Sequence, residues 1–184
     1  MRALILGASL AALATPALAA ELILSSTDVK SGAPMAIAQV LNKLGCTGQN
    51  ISPALSWSGE PAGTKSFAIT MYDSDARAGS GWWHWIVFNI PASVRGLPFG
   101  AGSEGSKDLP AGAQQGRTDF GASRYDGPCP PVGEHAHHYE ITVYAVKVDK
   151  LPLGDDASGA AVSAALAPNT LATAMIAGRY ERSK

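Results

Sequence analysis

The chain has 184 residues with 14 basic and 15 acidic side chains, a formal charge of −1, and only 16% charged residues. That length describes one domain, and the absence of any basic run or patch excludes a nucleic acid as partner. Twenty glycines and twelve prolines among so few charges describe a loop-rich β protein.

In chain order, MRALILGASLAALATPALAA comes first. It carries Arg2, an apolar run and Ala17-Leu18-Ala19, the pattern of a secretory leader cleaved after Ala19. Residues 1–19 are therefore read as a signal peptide and 20–184 as a single domain, periplasmic or secreted. The remainder holds 13 basic and 15 acidic side chains, since only Arg2 leaves. The apolar run is short for a bilayer and no later stretch is longer, so no transmembrane segment is expected after the leader is removed.

ELILSS, SFAITMY, HWIVFNI, HYEITVYAVKV and IAGRYER alternate or are β-rich and read as strands. SGEPAG, DSDARAGSG, PASVRGLPFGAGSEG and SRYDGPCPPVG separate them as turn clusters. GAGSEG spells a dinucleotide fingerprint but lacks the preceding strand and following helix, so it reads as a surface loop. Helical signal is confined to DDASGAAVSAAL and PNTLATAM. The sum is a mainly β sandwich with short C-terminal helices.

Strand parity sorts the polar residues. Asp73 and Asp75 continue the face of Phe67, Ile69 and Met71; His84 shares a face with Ile86, Phe88 and Ile90; His137 and Tyr139 share one with Ile141 and Val143. These five side chains fall at strand ends on the side that becomes core, where polar groups need partners. Two imidazoles, a phenol and a carboxylate suit a phosphate or carboxylate ligand, with Asp fixing an imidazole tautomer and raising its pKa. Pro130 and Pro131 stiffen the loop before the strand and hold the Cys129 backbone N–H in one direction. Adjacent His137 and His138 face opposite ways on a strand, which speaks against a shared metal ion. No G-x-S-x-G elbow is present and Ser74 has no evident base, so no catalytic set is expected. No cofactor motif is found. Cys46 and Cys129 in an exported chain invite a disulfide; two buried free thiols are the alternative.

NISPALSWSGEPAGTKSFAITMYDSDARAGSGWWHWIVFNIP resembles the first signature region of the phosphatidylethanolamine-binding protein family, and GPCPPVGEHAHHYEITVYAV resembles its second. The spacing is similar to the bacterial Raf-kinase-inhibitor-like branch, and the resemblance covers residues 22–182. It implies a Greek-key β-sandwich of two antiparallel sheets with a small pocket for phosphate-like groups, including phospholipid head groups and phosphorylated side chains. Carried over by position, the ligand-binding set is Asp73, Asp75, Trp82, His84, Pro130, Pro131, His137 and Tyr139, with Cys129 beside the prolines. The family's D-P-D-A-P is Asp73-Ser74-Asp75-Ala76-Arg77 here, which puts a cation near the rim. Eukaryotic members often have Gly where Cys129 stands, and the gating C-terminal helix of animal members is not recognised. The expectation is an exported, non-enzymatic module for a small anionic ligand or phosphorylated group. The alternative is a protein-interaction or inhibitor protein, acting on proteases or signalling proteins through surface loops. A homodimer is left open by the sequence.

Overall fold

The computed structural model describes residues 21–183, so the signal-peptide expectation for residues 1–19 lies outside the described residues. In chain order the elements are β1 (Ile23–Ser25), β2 (Leu55–Ser58), β3 (Ser66–Asp73), α1 (Ala76–Gly79), β4 (Trp82–Pro91), β5 (Gly96–Leu97), β6 (Gln114–Gln115), β7 (His137–Val146), α2 (Gly159–Leu166) and β8 (Thr170–Tyr180). All named pairings are antiparallel, in a three-stranded sheet of order β1-β2-β5 and a five-stranded sheet of order β6-β4-β3-β7-β8.

β3 is the centre of the larger sheet. Its run SFAITMYD is buried on both faces, which is why alternation is weak there and apolar content high. β4 pairs with it as a hairpin partner, β6 pairs with β4, and the chain then returns to lay β7 on the other side of β3. That return, with the fourth strand beside the first, is the Greek-key order.

The two faces of the large sheet are covered differently. The small sheet alternates cleanly, turning Leu24, Leu55, Trp57 and Leu97 onto Phe67, Ile69, Met71, Trp85, Ile141 and Val143. Trp57 and Phe67 meet with ring centroids 5.4 Å apart. On the opposite face Ala68, Ile86, Phe88 and Val146 pack against Leu151 and the Val162 and Leu166 side of α2. The helix begins where DDASGAAVSAAL places it: Ser158 Oγ accepts from the Ala161 N–H, capping the first turn.

PNTLATAM is not a helix. Residues 170–175 extend β8 and pair with β7 from Val146 to Thr142. Ala and Leu carry good helix propensity, but the edge of β7 offers a ladder of backbone partners, and pairing overrides propensity. The exposure of Leu171, Thr173 and Met175 alternates with half-buried Thr170, Ala172 and Ala174, the period of a strand. One short C-terminal helix therefore stands where two were expected.

Candidate functional site

Three strand ends converge. In the ladder Asp73 of β3 stands opposite Trp82 of β4 on one side and Tyr139 of β7 on the other. The register thus sets Asp73 between Trp82 and His84 on its left and His137 and Tyr139 on its right. Together they line a cavity of about 440 Å³.

His84 reaches this cavity by a route that parity does not describe. Ile86 and Phe88 face α2, not the cavity. Met71 pairs with Trp85 but Tyr72 pairs with Trp83, so β4 carries an extra residue at His84. This bulge lets His84 and Trp85, consecutive in sequence, both turn to the same side, whereas Trp83 points to the α2 face and stacks near Tyr72. Ile90 rejoins the cavity-side core after a second register shift, at Asn89, whose φ is 58°. His84 therefore lines the cavity, but not on the face of Ile86 and Phe88 assigned from alternation.

Asp73 organises the polar groups. Its side chain is 4% exposed. Oδ1 accepts the backbone N–H groups of Asp75 at 3.0 Å and Ala76 at 3.1 Å. Oδ2 accepts the His137 Nδ1–H at 2.8 Å and lies 3.9 Å from His84 Nε2. The other His137 nitrogen, Nε2, donates to Glu134 Oε2 at 3.0 Å. A ring that donates to two carboxylates carries both protons, so the fold selects the imidazolium of His137. Burial opposes that charge, but the bonds to Asp73 and Glu134 and the fields of Asp73 and Asp75 outweigh it and hold the His137 pKa above its ordinary value.

His84 is tuned the other way. Burial is the dominant cause and pushes its pKa down, against the raising effects of the Asp126 carbonyl and the Asp73 charge. Its Nδ1–H donates to the Asp126 carbonyl at 2.7 Å, so the neutral ring presents Nε2 as an acceptor on the Asp73 side. The Tyr139 phenol is pushed well up by burial and by the Asp73 charge, which keeps it a donor. Trp82 Nε1 is buried without a hydrogen-bond partner among the described residues, and the buried Tyr139 Oη faces the Asp73 carboxylate without a hydrogen bond of normal length to it.

The rim comes from the loops. Arg77 lies over the Trp82 ring at 4.0 Å. Its φ of 52° is a conformation closed to proline, so the replacement of the D-P-D-A-P prolines changes the backbone as well as the charge. Phe120 packs edge-on against both Trp82 and His84. Cys129, Pro130 and Pro131 close the far side. Cys129 is bonded to Cys46. Arg182 donates to the carbonyls of Pro130 and Gly45, tying both disulfide arms to the end of β8.

Asp75, expected beside Asp73, does not line the cavity. The chain turns into α1 after Asp73, which ends the two-residue period. Asp75 points outward and accepts from the His138 N–H at 2.7 Å and from its Nδ1–H at 2.8 Å. Those bonds hold its pKa down in spite of a partial burial that works the other way. His135 is an exposed loop residue 3.4 Å from the same carboxylate. Among the described residues no group of three or more His, Cys, Asp or Glu side chains is placed to hold a metal ion.

Glu134, Phe120 and Asp126 were not singled out from sequence. Glu134 stands three residues before His137 in a loop, a spacing with no fixed geometry outside a helix. Asp126 acts through its backbone carbonyl, and its carboxylate is held by Thr118 at 2.9 Å and Arg124 at 3.2 Å. The YDG segment that positions it is threaded against residues 39–41, where a Cβ on Gly127 would fall 1.9 Å from the Gln39 carbonyl oxygen.

The model of the family described as phosphatidylethanolamine-binding protein matches residues 25–181. YbcL of Escherichia coli strain K12 is 48% identical over 181 residues, covering 98% of this chain and 99% of YbcL. Its crystal structure superposes with a TM-score of 0.85 at 49% identity, covering 88% of this chain and 99% of that one, and is described as a new member of the mammalian family. LppC of Mycobacterium tuberculosis, a protein that carries lipoprotein in its name, is 36% identical over 168 residues, 91% of this chain and 76% of LppC. The structure of the phosphatidylethanolamine-binding protein homologue CT736 of Chlamydia trachomatis matches with a TM-score of 0.72 at 29% identity, covering 88% of this chain and 98% of that one. With the family model spanning nearly all the described residues and YbcL alike end to end, the chain belongs to the phosphatidylethanolamine-binding protein family.

Proposed function

We propose that this protein is an exported, non-enzymatic module that binds a small anionic group, such as a phosphate, a phospholipid head group or a carboxylate, in the cavity at the ends of β3, β4 and β7. The observation that carries the reading is the unpartnered Tyr139 hydroxyl, buried beside the His137 imidazolium in a cavity of about 440 Å³. A buried donor without an acceptor costs about 1–3 kcal/mol, and a ligand oxygen removes that cost. Trp82 Nε1 is a second such donor, and Arg77 supplies a cation at the rim. A binding role is supported by the lining itself, whose sulfur is locked in the disulfide and whose single hydroxyl is that of Tyr139. Export is supported by the disulfide and by the likeness to a protein named as a lipoprotein.

Titration calorimetry with phosphoethanolamine at pH 5.5 and 8 tests the reading, with sulfate as a probe whose own charge is constant across that range. Affinity for both should fall as pH rises through the raised His137 pKa. Equal sulfate affinity at both pH values, or unchanged affinity in Tyr139→Phe and His137→Gln, would remove the pocket from the reading. Exposed Leu44 and Val132, on the two segments joined by the disulfide, favour a second reading in which a protein partner docks on the rim. A partner pulled down equally by the Asp73→Ala, His137→Ala double variant would favour that reading.

A further inference from the structure

We propose that Glu134 is an internal occupant of the anion position, whose carboxylate holds the His137 N–H that an incoming anion needs and so sets the affinity an anion must exceed to enter. This rests on the anion-binding reading above.

The His137 ring is 2% exposed and its inner side is committed, with Nδ1–H donating to Asp73 Oδ2 at 2.8 Å. Nε2–H is the ring's second donor, and Glu134 Oε2 takes it at 3.0 Å. The Glu134 side chain is 50% exposed, and among the described residues its carboxylate makes no other hydrogen bond. One side of this contact is fixed and the other can swing into water. A carboxylate oxygen on an N⁺–H presents the same acceptor that a phosphate or sulfate oxygen presents.

The charges around the ring set what the exchange is worth. With Glu134 in place, an anion approaching His137 meets the carboxylates of Asp73 and Glu134, with Asp75 behind them; the cations are His137 itself and Arg77, with the exposed His135 ring 5.5 Å from that of His137. With Glu134 displaced, the same anion meets the imidazolium, the Tyr139 hydroxyl and Arg77, with Asp73 the one carboxylate left against the ring. A monocarboxylate only replaces like with like. A phosphate brings more charge and further oxygens for Tyr139 and Trp82, so it gains where a carboxylate does not. Glu134 thus sets a threshold for entry, a cost that every anion meets before it reaches the His137 N–H.

The test is calorimetric titration of inorganic phosphate and of acetate into the wild-type protein, Glu134→Gln and Glu134→Ala at pH 7. Both variants should bind phosphate about ten-fold more tightly, the worth of one charged hydrogen bond at a half-exposed group. Acetate should tighten by a similar or smaller factor, because the cost of displacing Glu134 is common to both anions and the charge removed repels phosphate more strongly. Without ligand, NMR titration of the His137 ring should show its pKa lowered in both variants. Equal or weaker phosphate affinity in the variants, with wild-type binding intact, would overturn the role of Glu134 alone. No phosphate binding by any of the three proteins would overturn the anion reading and this inference with it.

Discussion

At the scale of single residues, two histidines flank one carboxylate and have their pKa values shifted in opposite directions. His137 is raised above 6.5, so its contribution to stability is complete below that value and is lost as pH rises through the raised pKa. His84 is lowered, so its contribution is complete above 6.5 and is lost as pH falls through the depressed pKa. Thermal melts should therefore show a melting temperature that declines from about pH 6.5 upward on account of His137. In His137→Gln that alkaline slope should flatten, while the acid limb from His84 remains. Asp73→Asn removes the charge that holds His137 and leaves a buried imidazole with weaker partners. It should cost about 3 kcal/mol in urea unfolding at pH 7 and abolish most anion affinity.

At the scale of elements, the irregularities place the functional groups. β4 would carry His84 to the α2 face if it ran without interruption; the extra residue opposite Met71 turns it into the cavity. α2 buttresses the reverse side of that same strand at close range, since a Cβ on Gly159 would fall 2.2 Å from the Trp83 ring. Gly159→Ala should therefore destabilise by about 1–3 kcal/mol through overpacking. Ser158→Ala should cost about 1 kcal/mol by uncapping the helix. In urea titrations the glycine variant is expected to be at least as destabilised, and phosphate affinity in Ser158→Ala should equal that of the wild type. A Gly159→Ala protein with unchanged stability would show that α2 does not press on β4.

At the scale of the whole molecule, the Cys46–Cys129 bond closes a span of 83 residues and fastens the proline loop to the segment before β2. By the loop-entropy relation its removal should cost up to about 4.5 kcal/mol. Cys46→Ser with Cys129→Ser, or reductant, should lower the melting temperature and weaken phosphate binding together, because Cys129 also lines the cavity. A lowered melting temperature with intact affinity would make the bond a clamp on the fold alone. The β character, most of the strands and the gathering of Asp73, His137 and Tyr139 were legible in the chain, because alternation and turn residues are local properties that need no partner to be read; alternation alone set His84 on the face of Ile86 and Phe88, which turns to α2. The strand at 170–175 was not, because an Ala-rich run has no firm preference until β7 offers it a ladder. Nor was the outward turn of Asp75, since a strand's period stops where the chain bends into α1. The bulge that admits His84 and the contact that sets Glu134 on His137 depend on which strands lie side by side. The sequence by itself determined which chemical groups this protein brings to its strand ends. Only the tertiary structure decided which nitrogen of each imidazole is held, by what, and which remains to meet a ligand, because hydrogen bonds between residues 64 positions apart exist only after the strands have paired.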